Sequence, residues 1–179
     1  MLDQLKARFG TRTYDRLYQN IEVLGVIGYD NSAPTWEKIQ SLPLSWENQI
    51  VCDLGCFHGY FSLKVKEAGA QRVIGLDHSD DILETAKLIA QCSEKDIEFQ
   101  KWIGGEKTPI CDTALVLNML HHCENQSQTL ENIQCKNAIF EVNRNQLSII
   151  DSVFRIQTMK EGRSYPDRES RLMIYAEKK

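Results

Sequence analysis

Val51-Cys52-Asp53-Leu54-Gly55-Cys56-Phe57-His58-Gly59 is followed further along by Val73-Ile74-Gly75-Leu76-Asp77, and the two pieces together point to one kind of fold. Each piece begins as a short apolar run and meets an acid, the first running on into a glycine-bearing loop. In an open α/β sheet a nucleotide lies outside the carboxyl ends of the strands, so the loop after the first strand is where chemistry is sought. Gly55 lets the backbone turn tightly and approach a ligand with no side chain between, and Gly59 lets the next helix start close to the strand. Asp53 supplies an acceptor at the strand end, which suits a cationic ligand and opposes a pyrophosphate. Asp77 stands where a carboxylate takes both hydroxyls of a ribose, close to the required spacing from Gly59. The competing reading is that the two acids cap the helices that follow them.

Outward from this core, short apolar strands alternate with helical stretches, the signature of a parallel sheet with crossover helices. The pattern predicts β1 over Ile50–Leu54, a helix over Tyr60–Ala68, β2 over Arg72–Leu76, a helix over Asp80–Gln91 and β3 over Ile97–Trp102. It continues with β4 over Thr113–Asn118, a short helix near Ser127–Ile133 and β5 over Ala138–Val142. A brief helix over Gln146–Val153, β6 over Phe154–Thr158, a turn-rich loop over Glu161–Asp167 and β7 over Arg171–Ala176 complete it. Two strands joined without a helix must pair antiparallel.

Residues 1–48 read as a helical cap on the domain formed by residues 49–179. In the cap Tyr14, Leu17, Tyr18 and Ile21 share the spacing of one helix face, with the helix starting near Thr11 because Gly10 interrupts it. Ile21–Ile27 is apolar, Gly28–Pro34 is a loop, and a second helix runs from Thr35 toward Leu42 until Pro43 stops it. Arg8, Arg12 and Arg16 recur every fourth residue, a stripe that can receive a phosphate but is read first as a solvated face.

The chain has 179 residues, enough for one domain with a core and too few for two of ordinary size. Its apolar share of 42% and charged share of 26% exclude disordered and collagenous classes. Neither a membrane-length apolar run nor a secretory leader is seen, and the cytoplasm is the default expectation. A net charge of −4 gives no overall reason to bind nucleic acid and favours a small or neutral substrate. The six cysteines form no Cys-x-x-Cys pair and read as buried, reduced thiols.

On these residues the chain resembles the class I S-adenosylmethionine-dependent methyltransferases. The resemblance rests on the Asp-x-Gly-x-x-x-Gly loop, the acidic end of β2, Asn118-Met119-Leu120-His121-His122 after β4, and the β6/β7 hairpin, and it runs from about Gln49 to the C-terminus. It implies a Rossmann-like, mostly parallel seven-stranded sheet with helices on both faces, an antiparallel last strand, S-adenosylmethionine as cofactor, and methyl transfer from its sulfonium. It also implies Gly55, Cys56 and Phe57 along the methionine portion, Asp77 on the ribose, His78 beside the adenine, and Asn118 offering backbone or side chain to the methionyl amino group. Two departures stand out. Phe57 replaces the loop's usual middle glycine, and Lys101-Trp102-Ile103-Gly104-Gly105 stands where an acid often follows β3. Trp102 or Ile103 can stack on adenine, although an aromatic at this place is more often core.

Methyl transfer is an in-line displacement governed by positioning, and a base is needed only when the acceptor carries a proton. His121 and His122 are the candidate bases, with a structural role as the competing reading. Adjacent residues on one turn point in different directions, so His121-His122-Cys123 does not make a metal site. Glu141 at the end of β5 either meets substrate or caps the next helix. The leading expectation is an enzyme acting on a small molecule under the cap. Loops of this type also occur in enzymes that alkylate the wobble uridine of tRNA, so RNA is the nearest alternative substrate. A non-catalytic partner subunit with the same fold is a second alternative, and a nicotinamide-dependent dehydrogenase is disfavoured by Asp53 and the missing Gly-x-Gly-x-x-Gly spacing. The sequence leaves the oligomeric state open.

Overall fold

The computed structural model of the chain describes residues 1–9, 18–164 and 170–179. Seven strands form one sheet in the order β3-β2-β1-β4-β5-β7-β6. They are β1 (Ile50–Leu54), β2 (Arg72–Asp77), β3 (Glu98–Lys101), β4 (Cys111–Leu117), β5 (Cys135–Asn143), β6 (Phe154–Ser164) and β7 (Ser170–Lys178). The first five run parallel, and β7 inserts antiparallel between β5 and β6. The helices are α1 (Leu2–Phe9), α2 (Ala33–Gln40), α3 (Tyr60–Glu67), α4 (Asp80–Cys92), α5 (Gln126–Asn132) and α6 (Leu147–Val153). This is the expected Rossmann-like architecture. No helix among the described residues is long and apolar enough to cross a membrane.

Strand alternation sends successive side chains to opposite faces. Val51, Val73, Leu115, Ile139 and Met173 pack with Trp36 and Ile39 of α2 and Phe61 and Val65 of α3. Cys52, Ile74, Ala114, Phe140 and Ile174 pack on the other face with Leu130 of α5 and Ile150 of α6. Burial on both faces explains why the strands read as near-continuous apolar runs. The same parity puts Asp53, Asp77, Leu117 and Glu141, at or near the strand ends, on the α2/α3 side.

The cap departs from its sequence pattern. A helix forms earlier than expected, at α1, where Leu5 and Phe9 pack with Ile21 and with Ile89 of α4. Of the predicted helix face, Tyr14 and Leu17 lie outside the described residues, as do Arg12 and Arg16 of the arginine stripe. Ile21 is not helical: it bridges to Val26 around a short 3₁₀ turn over Glu22–Leu24 closed by Gly25. Ile21, Val23, Val26 and Ile27 are β-branched and stiff at χ1, which favours extended backbone and a turn over a continuing helix. Helix α2 begins two residues before its expected start, with Pro34 in its first turn where a missing N–H costs nothing. Strand β6 outruns its prediction through Ser164, because an edge strand accepts polar residues on its open side.

Candidate active site

The loop after β1 is tied to the end of β2 by its own backbone. The N–H groups of Gly55 and Cys56 both donate to Leu76 O, at 2.8 and 3.0 Å. Further along the sheet Trp102 N–H donates to Asp77 O at 2.9 Å and Asn118 N–H to Glu141 O at 2.8 Å. These bonds carry the loops over the strand ends and leave a cleft of about 1050 Å³ between them and the cap.

Asp53 and Asp77 face this cleft at 2% and 6% exposure. Neither caps a helix. Ser79 caps α4 by accepting Ile82 N–H at 3.4 Å, and α3 starts on Gly59 in the left-handed conformation. Asp77 accepts Phe57 N–H on Oδ2 and Ser79 N–H on Oδ1, each at 3.1 Å, and His78 Nδ1 lies 3.2 Å from Oδ1. A carboxylate has about four acceptor sites, so each oxygen keeps capacity for a further donor. Asp53 accepts the Ser62 hydroxyl at 2.6 Å. Burial, opposed by that hydrogen bond and reinforced by the charge of Asp77, pushes its carboxyl up to about 7.

Gly55 has φ 67°, and an added Cβ would lie 2.8 Å from Met119 Cβ, so only glycine lets the loop pass here. Phe57 takes the left-handed region at φ 53°, costly for a bulky residue, and its ring lines the cleft. His58 lies beside it, ring centroids 4.0 Å apart and planes tilted by 39°, and meets Phe9 of α1 edge-on at 5.6 Å. Burial lowers His58 to about 4, so this imidazole is neutral.

Among the other expected site residues, His78, Asn118 and His122 line the cleft, while Cys56, Gly59 and His121 do not. The Cys56 side chain is buried with Leu83, Ala86 and Phe99, leaving only its backbone toward the loop. His121 and His122 share the turn Leu120–His122 with ring centroids 4.0 Å apart, yet only His122 faces the cleft. The Asn118 side chain is engaged on both sides, its Nδ2 donating to Tyr18 Oη at 3.1 Å and its Oδ1 accepting from Arg171 Nε at 3.2 Å. Trp102 packs in the core with its indole N–H on Glu106 O, and Ile103 is the exposed apolar residue at the cleft. Glu141, 1% exposed, accepts the Thr35 hydroxyl at 3.2 Å. The helical turn after β5 instead has Asn143 at its N-cap, in a capping box with Gln146, whose Oε1 accepts Asn143 N–H at 3.1 Å. Tyr18, Gln19, Asp30 and Phe61, which no sequence motif marks, also line the cleft. Among the described residues no group of three or more His, Cys, Asp or Glu could hold a metal ion.

Two buried acids on one side of a bare-backbone loop fit a ligand that is both cationic and a diol. They reject a pyrophosphate.

A family model described as a methyltransferase domain matches residues 51–135. That stretch, just under half of the chain, is therefore similar to a methyltransferase domain. Solved structures share the fold at low identity. The PH0226 protein of Pyrococcus horikoshii OT3 is 17% identical with a TM-score of 0.70, the match covering 90% of this chain and 95% of that one. An S-adenosylmethionine-dependent methyltransferase of Mesorhizobium loti is 18% identical at TM-score 0.65, covering 87% and 100%. A tRNA (uracil-54, C5)-methyltransferase of Pyrococcus abyssi, in complex with S-adenosyl-L-homocysteine, is 16% identical at TM-score 0.65, covering 82% of this chain and 38% of that one. No curated protein matches the chain in sequence.

Proposed function

We propose that the chain methylates a small molecule bound between its N-terminal cap and the ends of β4 and β5. The cleft volume carries this reading: about 1050 Å³ stands at the top of the range for small-molecule sites, room for a nucleoside cofactor and a modest acceptor together. When bound, S-adenosylmethionine supplies an electrophilic methyl group on a sulfonium.

The chain's own residues do the rest. Asp77 would hold the ribose hydroxyls through the capacity left on its two oxygens, with His78 beside the adenine. Asp53 would meet the methionyl ammonium. Gly55, Cys56 and Phe57 would present backbone, and Phe57 also its ring, along the methionine portion, while Gly59 sets the start of α3. Asn118 would contribute through its backbone, because its side chain is engaged by Tyr18 and Arg171. His122, at the cleft, is the base for an acceptor that carries a proton, in preference to His121. The described part of the cap would close the acceptor end, where Asp30 joins Glu141 of β5 in the lining.

Charge favours a small molecule over RNA. The described lining has five acids, Asp30, Asp53, Asp77, Glu124 and Glu141, and one lysine, Lys101, which pairs with Asp80 at 2.5 Å. Arg8 of the arginine stripe turns away to Asp81 and Glu84 of α4. Calorimetric titration of the full chain with S-adenosylmethionine tests the reading, and the expected result is saturable binding. No heat with the native chain, and none regained in Phe57→Gly, would leave a non-catalytic partner subunit. Tight, salt-dependent binding of unmodified tRNA would favour the RNA substrate instead.

A further inference from the structure

Tyr18 reaches the cleft from the cap, and several independent contacts build its position. Asp30 N–H donates to Tyr18 O at 3.2 Å. Gly28 lies so close behind that an added Cβ would stand 2.4 Å from Tyr18 O and 2.5 Å from Gln19 O. The Tyr18 ring meets Phe57 at 5.6 Å with an 87° interplanar angle and Tyr29 at 5.4 Å. Its Oη accepts from Asn118 Nδ2, and Asn118 is held in turn by the buried Arg171 of β7.

A phenol that accepts one hydrogen bond still has its own proton to give. Burial pushes Tyr18 above its ordinary range, with the Asn118 hydrogen bond opposing, so at neutral pH it stays protonated and is a donor. Beside it Gln19 turns its Oε1 to Tyr60 N–H at 3.4 Å, which leaves its amide NH₂ as a second donor.

With the ribose at Asp77, the methionyl group would lie along the loop after β1, which shares the cleft with Asp53 and Asn118. Its ammonium suits Asp53, and its carboxylate needs donors. Lys101 and His78 stand on the ribose side, against Asp80 and Asp77. On the β1/β4 side the cap supplies Tyr18 and Gln19.

We propose that Tyr18, with Gln19 beside it, anchors the carboxylate of the cofactor's methionyl group, so that the N-terminal cap itself binds the cofactor and orients its sulfonium. This rests on the cofactor reading above. It assigns the anchor to a residue far in sequence from the glycine loop and explains why the Asn118 side chain is spent on positioning Tyr18.

The test is a ligand-truncation cycle read by calorimetry, which needs no known acceptor. S-adenosylhomocysteine carries the carboxylate, whereas 5′-methylthioadenosine keeps the nucleoside and thioether without the amino acid. Tyr18→Phe retains the ring and should weaken S-adenosylhomocysteine roughly ten-fold, the scale of one hydrogen bond to a charged group, with methylthioadenosine changed by less than about two-fold. Equal losses for both ligands, or none for S-adenosylhomocysteine, would overturn the assignment. A second measurement uses the native chain alone: decarboxylated S-adenosylmethionine should bind more weakly than S-adenosylmethionine by a similar factor, and equal affinity would also overturn it. A native chain that binds none of these nucleosides contradicts the cofactor reading itself, a result distinct from either.

Discussion

Burial raises the Asp53 carboxyl to about 7, against an unfolded value near 3.9. The unfolded chain therefore gives up this proton more readily, and the stability Asp53 contributes falls as pH rises from about 4 to about 7. Asp53→Asn should melt at a higher temperature than the native chain at pH 8 and lose that advantage near pH 4, as thermal denaturation at the two pH values will read. The same variant should bind S-adenosylmethionine more weakly, since a buried carboxylate is matched to a cation and an amide is not. A cationic ligand also draws the Asp53 value down, so binding near pH 6.5 should release protons. Titrations in buffers of different ionisation enthalpy measure that release directly. Stability given up at one residue and recovered on ligand binding is the ordinary trade at a functional site.

Among elements, α1 is the one whose docking can be followed through a single probe. Leu5 and Phe9 hold it to the body, and Phe9 covers His58, whose value is lowered to about 4. Because the folded value lies below the unfolded one near 6.5, the contribution of His58 is present at neutral pH and lost as pH falls from about 6.5 to about 4. Leu5→Asp should release α1 and return His58 toward 6.5 in an NMR titration, while leaving the sheet intact. Sequence periodicity located the strands and the helices between them to within a few residues, except that the C-terminal part of β6 was read as loop, because apolar runs closed by turn residues report burial in a parallel sheet directly. It misjudged the cap, where Tyr18 and Ile21 fall at helical spacing but the chain turns back through Gly25. The site divides the same way. That Asp53, Gly55 and Asp77 stand together at the cleft was legible because a strand end fixes its own neighbours. Tyr18 was not: its Asn118 partner is 100 residues away, and only tertiary packing brings the two together. Side-chain direction was equally hidden at Cys56, which turns into the core, and at Glu141, which faces the cleft instead of capping a helix.

For the whole molecule, the cleft is assembled from three parts: the glycine loop, the strand ends and the cap. A ligand that touches all three binds only the folded chain and stabilises it by mass action. S-adenosylmethionine at a hundred times its Kd should add about 2.7 kcal/mol, a rise in Tm of roughly 5–10 °C for a chain of this size. Differential scanning fluorimetry across a concentration series checks this, and saturation without a shift would contradict binding to the native state.

Strand β7 lies between β5 and β6 and carries Arg171, which holds Asn118 and through it Tyr18. A chain translated only as far as β6 has that strand without its inner partner and Tyr18 without its brace. Long-range pairing of this kind forms late because distant segments must first be brought together. Tyr18, upstream of every strand in the sheet, thus gains its brace only once β7, downstream of the other six, has slotted into place.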